Sequence, residues 1–214
     1  MLAICDECPT ERRQRIKMAV ADGIAASLPP AFLDRLQERN PCVELVIEKH
    51  YVRRCLDMLE HGEVDFVICS VPQGVVDAHR VPLVRRPVYV ALPKTCLDLG
   101  PSLHALDSTT LFTLGDDFPN DAVFLNLLEE DGVSVRINSQ YKDYDLIIDE
   151  VRAGRGAALV PEECIDRITG SEAALIPVPQ DRFAWEVSFL FLERSYTPLE
   201  TYLIDFVRMQ AVLE

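Results

Sequence analysis

Basic residues are scarce in this chain. Its 214 residues hold 21 Lys and Arg against 35 Asp and Glu, a net charge of −14. Nucleic-acid backbones are held by clustered Lys and Arg. Here such residues are outnumbered and scattered, which argues against a nucleic-acid surface on this piece. Long apolar runs are missing too. No stretch approaches the ~20 residues that span a bilayer, so no membrane partner is expected. Met1 to Arg15 offers only the short run Leu2 to Cys5, followed by Asp6 and Glu7, and does not read as a secretory signal. The seven cysteines are an odd number, and five sit in apolar or helical patterns. That fits thiols in a reducing cytosol better than a disulfide framework, so a cytoplasmic location is expected. With 49% hydrophobic and 26% charged residues and no low-complexity segment, disorder, collagen and coiled coil are excluded as whole-chain descriptions.

Catalytic motifs are equally thin. There is no nucleophile elbow, phosphate loop or dinucleotide fingerprint. Gly154-Arg155-Gly156 follows a helical stripe rather than opening one, so it reads as a helix end and a tight turn. Cys5 and Cys8 have the spacing of half a zinc site, but no second pair follows and the four histidines are isolated. They read as two thiols in a tail. No metal and no cofactor is expected.

What is present is a repeating strand–helix pattern. Residues 1–14 show no clean period and read as a tail. Ile16 to Val20 alternates and then turns apolar, as a strand does. Asp22-Gly23 breaks it, and Ser27 can cap a helix carrying Leu28, Phe32, Leu33 and Leu36. Val43 to Ile47 reads as a strand. Val52, Cys55, Leu56 and Leu59 fall on one helical face, which His61-Gly62 ends, and Val64 to Cys69 is a strand again. Two strand-like runs lie in Val81 to Leu92, divided by Arg85-Arg86-Pro87. A second cycle follows: a strand Leu111 to Leu114, a helix capped by Asn120 and closed by Gly132, a strand Val133 to Ile137, a helical stripe Tyr144 to Val151, and a strand Ala157 to Val160 closed by Pro161. Trp185 to Leu192 is extended. Thr197-Pro198-Leu199-Glu200 is a capping box with proline at the first helical position. The pattern predicts an α/β protein of two Rossmann-like subdomains with mostly parallel sheets and two crossovers. The first comprises residues 15–82 and 183–214, and the second comprises 83–182.

Ligands bind parallel sheets at the carboxyl ends of the strands. In the first half that edge carries Asp22-Gly23, Lys49-His50-Tyr51 and Cys69-Ser70. In the second it carries Leu114-Gly115-Asp116 and Asn138-Ser139. Each loop alone also reads as an ordinary cap or turn. Their convergence is the better signal, and a cleft between two such edges suits a small molecule. Helix N-termini at Ser27 and Tyr51 favour an anionic group. Asp22, Asp116 and Asp117 oppose one unless paired with Lys49, His50 or Arg53, and would suit an amine.

The segments Ile16 to Val20, Leu28-Pro29, Phe32-Leu33 and Asn40 to Leu45 resemble the start of the effector-binding domain of LysR-type transcriptional regulators. Leu59 to Ile68, with Gly62 and Asp65 at its centre, and Val151 to Pro161, with Gly154 and Gly156, resemble two further segments of that family in the same order. The resemblance runs from Arg15 to about Met209. It implies a type 2 periplasmic-binding-protein-like fold, an effector in the inter-subdomain cleft, and a homodimer or tetramer. It implies an effector site drawn from Asp22, Gly23, Ile24, Ala25, Ser27, Lys49, His50, Tyr51, Cys69, Ser70, Leu114, Gly115, Asp116, Asn138, Ser139, Val160 and Pro161. Where the family often has Ser or Thr in the first loop, this chain has Ala25 and Ala26. The family dimer would set Leu28 to Arg39 and Val43 to Ile47 against Ala122 to Asp131 and Val133 to Ile137 of a second copy. The family's winged helix-turn-helix and linker helix are not in this sequence, so an excised effector domain is expected, with DNA bound only through that other part. The rival readings are a solute-binding receptor of a transporter and an enzyme using His50 with Asp22 or Asp116.

Overall fold

The computed structural model describes residues 14–22, 24, 28, 32–39, 43–72, 74–115 and 118–211. In chain order the strands and helices are β1 (Gln14–Ala21), α1 (Phe32–Glu38), β2 (Val43–His50), α2 (Val52–Glu60), β3 (Phe66–Ser70), β4 (His79–Arg86), β5 (Val88–Pro93), β6 (Thr110–Phe112), α3 (Pro119–Glu130), β7 (Arg136–Asn138), α4 (Tyr144–Arg152), β8 (Ala158–Pro161), α5 (Ile165–Ile168), β9 (Ala173–Pro177), β10 (Trp185–Phe191) and α6 (Pro198–Ala211). The chain divides into two compact units. One holds the residues up to Ser70 with Val76–Val84 and Val187–Glu214. The other holds Val71–Val75 and Arg85–Glu186.

In the first unit the sheet order is β2-β1-β3-β10-β4. β1 runs parallel to β2 from Gln14↔Val43 to Ala21↔His50, and parallel to β3 from Met18↔Phe66 to Val20↔Ile68. β10 returns antiparallel to β3, Val187 opposite Ser70. β1 shows why the alternation fades along the strand. Arg15 and Lys17 face outward beside buried Ile16, but from Met18 onward both faces are covered, as expected of parallel strands. Beneath lies an aromatic cluster in which Phe66 and Phe189 stack at 4.9 Å, with Phe191 and Tyr196 around Phe66.

The capping box at the head of α6 is formed. The Thr197 amide donates to Glu200 Oε2 at 2.7 Å, and the Glu200 amide donates to Thr197 Oγ1 at 3.3 Å. Glu200 is buried. Burial pushes its carboxyl up, but the bonds from Arg194 and Thr197 outweigh that and hold it below its ordinary value. Arg194 also reaches Asp65 at 3.1 Å, which ties the loop before β3 to the start of α6.

The second unit has the same plan. β5 lies antiparallel between β8 and β9. β6 pairs in parallel with β7 and meets β8 through the parallel bridge Leu111↔Ala157. Its core includes Ala91, Phe112, Ile147, Ile148, Val151 and Val160.

Three sequence expectations need correction. Gln14 belongs to β1 and not to a tail, because it pairs with Val43 and its side chain bonds Thr197. Asn120 does not cap α3. The ring of Pro119 already suits the first helical position, so the helix begins there and Phe118 is its cap. Between Leu111 and Leu114, only Leu111 and Phe112 are strand, since Leu114 turns away to meet Asp121. The expected cap Ser27 and the pair Cys5 and Cys8 lie outside the described residues.

Gly156 sits where β8 approaches β6. A Cβ there would stand 2.5 Å from the Phe112 ring and 2.7 Å from the Thr110 carbonyl. The carbonyl is backbone and cannot swing aside, so G156A should destabilise by about 1–3 kcal/mol. A lowered urea midpoint with unchanged slope would show this. A wild-type midpoint would mean that β6 and β8 are not in contact there.

Candidate functional site

Parallel pairing delivers the ends of β1, β2 and β3 to one edge of the first unit. The Asp22 amide donates to the His50 carbonyl at 2.9 Å, which ties the first two ends together. Lys49 Nζ pairs with Asp22 Oδ1 at 2.5 Å, with both side chains half exposed or more. His50 Nε2 lies 3.2 Å from Glu48 Oε2, two residues back on the same strand face. Asp22 is thus set against Lys49, and His50 against Glu48. Tyr51 takes the extended conformation at the head of α2, and its side chain makes no capping bond. The residue is 47% exposed.

Three other first-unit candidates are interior. Ile24 and Cys69 are buried, as is Ser70 at the end of β3. Burial pushes the Cys69 thiol far above its ordinary value, and the Cys55 thiol up to about 11. Neither is a nucleophile near neutral pH. Gly23, Ala25, Ser27 and Asp116 lie outside the described residues.

In the second unit the carboxyl ends of β6, β7 and β8 share an edge. Gly115 takes a φ of +69°, and a Cβ there would meet Lys142 Nζ at 3.3 Å and Ser139 Cβ at 3.5 Å. The Leu114–Gly115 loop therefore touches the Asn138–Ser139 loop. The Asn138 carbonyl accepts from the Thr113 amide at 3.0 Å, and its side-chain oxygen accepts from the Gln140 amide at 3.1 Å. Lys142 Nζ donates to the Leu114 carbonyl at 3.2 Å. Val160 is core, and Pro161 ends β8 opposite Val88. Tyr144 locks the strand from outside, its hydroxyl donating to the Leu159 carbonyl at 2.8 Å.

The residue that organises this edge is Asp121, which the sequence reading did not single out. It stands in the first turn of α3, 8% exposed. It accepts from the Leu114 amide at 2.8 Å and also bonds the Gly115 amide. Burial raises its carboxyl to about 7 against the pull of those two amides. A sequence signal existed: an acidic residue just after Pro119 is where a helix start accepts charge. Among the described residues no group of three or more His, Cys, Asp or Glu could hold a metal ion.

Residues 9–211 match the LysR substrate binding domain. The chain belongs to that family. Regulatory domains of known structure share its fold, including that of CcmR from Synechocystis PCC6803 in complex with 2-PG (TM-score 0.70, 16% identity, 91% of this chain and 96% of that one). The effector binding domain of QuiR in complex with shikimate is similar (TM-score 0.72, 13% identity, 94% of this chain and 99% of that one). These likenesses establish the fold as the type 2 periplasmic-binding-protein-like architecture. Among curated relatives, the transcriptional dual regulator GltC of Bacillus subtilis (strain 168) is 22% identical over 182 residues, 81% of this chain and 59% of that protein. The LysR chain thus spans little more than half of that relative. Family membership favours an effector-sensing domain over a transporter receptor. Among the described residues no helix is long and apolar enough to cross a membrane.

Asp121 gives this LysR domain a pH signature. Its folded-state pKa lies above the ordinary 3.8. The group's contribution is therefore greatest when it is protonated, below pH ~4, and declines as pH rises through about 7, by ~1.4 kcal/mol per unit of pKa difference. Asp121→Asn should lose that slope. Melting of D121N and wild type compared from pH 4 to 7 would show the gap moving in the variant's favour, whereas a constant gap would refute a raised Asp121.

Proposed function

We propose that this chain is the sensing domain of a LysR-type regulator. It binds a small metabolite at the loops that close the carboxyl ends of its parallel strands, and passes the signal to a DNA-binding segment elsewhere in the protein. The observation that carries this reading is the family match across residues 9–211. The loops supply suitable chemistry: exposed Tyr51, the Lys49–Asp22 pair, Asn138 and Ser139. The bound 2-PG and shikimate of CcmR and QuiR support small polar molecules as the ligand class.

A metabolite shifts such a domain only by its differential affinity for two arrangements, so binding residues suffice and catalysis is not required. The likeness to the transcriptional regulator GltC supports a domain that is not an enzyme. We place it in the cytoplasm, where a DNA-bound regulator works. Edge strands support a homodimer. β2 and β7 each pair on one side only among the described residues. Ile47 on β2 is 44% exposed and Ile137 on β7 is 58% exposed. Apolar residues on an open strand edge invite pairing with a second copy.

The test is a thermal-shift screen against carboxylates, aromatics, amines, sugars and nucleosides. A ligand at 100 times its Kd stabilises by about 2.7 kcal/mol. A saturable hit weakened by Tyr51→Ala is the expected result. A folded protein that no member of the panel stabilises would count against the sensor.

A further inference from the structure

Among the described residues, two side chains of the second unit have polar atoms that are out of solvent and without a hydrogen-bond partner. Glu163 lies in the 3-10 turn Glu162–Cys164, entered directly from Pro161 at the end of β8. Both of its carboxylate oxygens are out of solvent and accept no hydrogen bond. Trp185 opens β10 at 6% exposure, and its indole N–H also has no acceptor. Folded proteins rarely leave buried donors and acceptors unmatched, because each has given up water for nothing. A carboxylate so placed is the costlier of the two. The cation on the next helix, Arg167, is committed to Asp145 at 2.8 Å.

Both orphans belong to one edge. The Trp185 ring packs on Phe118 with centroids 5.3 Å apart, and Phe118 caps α3 after the carboxyl end of β6. Glu163 follows the carboxyl end of β8. β6 and β8 are parallel and bridged at Leu111↔Ala157. This is the edge that carries Gly115 and Asn138. The other carboxylate described there, Asp121, is occupied by backbone amides.

We propose that Glu163 anchors a protonated amine or guanidinium group of the effector, and that the Trp185 indole donates to an acceptor on the same molecule. The proposal rests on the effector-sensing reading and names its ligand class. Two carboxylate oxygens that accept no hydrogen bond match the donors of an ammonium, or the fork of a guanidinium, through charge-assisted bonds. The net charge of −14 draws cations toward the domain and repels anions.

The test titrates the chain with putrescine, agmatine, lysine and arginine, and with butyrate, glutarate and hexanoate as amine-free counterparts, followed by melting and calorimetry. At least one cationic probe should stabilise saturably, and its amine-free counterparts should not. Glu163→Gln should weaken that probe about tenfold to a hundredfold, while the ligand-free variant melts at or above wild type, because no bond to the carboxylate is lost. Trp185→Phe should weaken lysine and arginine, which carry a carboxylate acceptor, but not putrescine. Cation binding indifferent to E163Q, or an E163Q domain that melts lower without ligand, would overturn the anchor. A saturable anionic hit lost in Tyr51→Ala would overturn the amine and leave the sensor standing. No stabilisation by any of these probes would overturn the amine anchor, and the sensor reading would fall only if the wider panel of aromatics, sugars and nucleosides were silent as well.

Discussion

When β1 pairs in parallel with β2 on one side and β3 on the other, three carboxyl ends and the loops that follow them arrive at one edge of the first unit. The same happens in the second unit, where β6, β7 and β8 run in parallel. An antiparallel meander would have scattered these loops over two edges. Every candidate binding residue depends on this pairing, and parallel pairing in turn requires both faces to be covered. Hence the solid burial of Met18, Ile68 and Val160. The polar work falls to the loops and to the carboxyl ends of the strands, because the central strands have no free face.

Few of the charges contribute to holding the fold. Exposed pairs such as Arg15–Glu44 and Lys49–Asp22 are worth little each. Glu200 is different: it is buried, bonded by Thr197 and paired with Arg194, which also reaches Asp65. One carboxylate thereby starts a helix and fastens a loop from a distant part of the chain. Asp121 does a comparable task in the second unit with backbone amides for partners and no cation. That is why burial can lift its carboxyl so far.

Much of the fold was legible because several elements carry more than one signal. β1, β2 and β3 are rich in Val and Ile. α2 has a clean apolar stripe ended by a positive-φ glycine at Gly62, and α6 opens with a capping box. Elements with a single weak signal were missed or misjudged. β9 is only Ala173–Pro177 and α5 a single turn, both too short for a period to show. Asn120 looked like a cap because Asn favours that role, but the ring of Pro119 took precedence. The site was legible as a set of loops and not as chemistry. Tyr51 and Asn138 could be placed by topology alone. Asp121 and Glu163 were not singled out, since burial of a carboxylate depends on what packs over it from elsewhere in the chain. Cys69 and Ser70 sat at the expected edge, but β10 pairs alongside both of them and both are interior.

The thiols have a further consequence. Cys69 sits on the middle strand of a five-stranded sheet and Cys55 on the helix beside it, both buried and both held in the protonated form near neutral pH. An alkylating reagent attacks only the ionised sulfur, so it must wait until this layer comes apart. The rate at which these two sulfurs are consumed is then a direct gauge of how often the domain breathes at its centre. A ligand that grips the sheet edge would slow that clock without touching either cysteine.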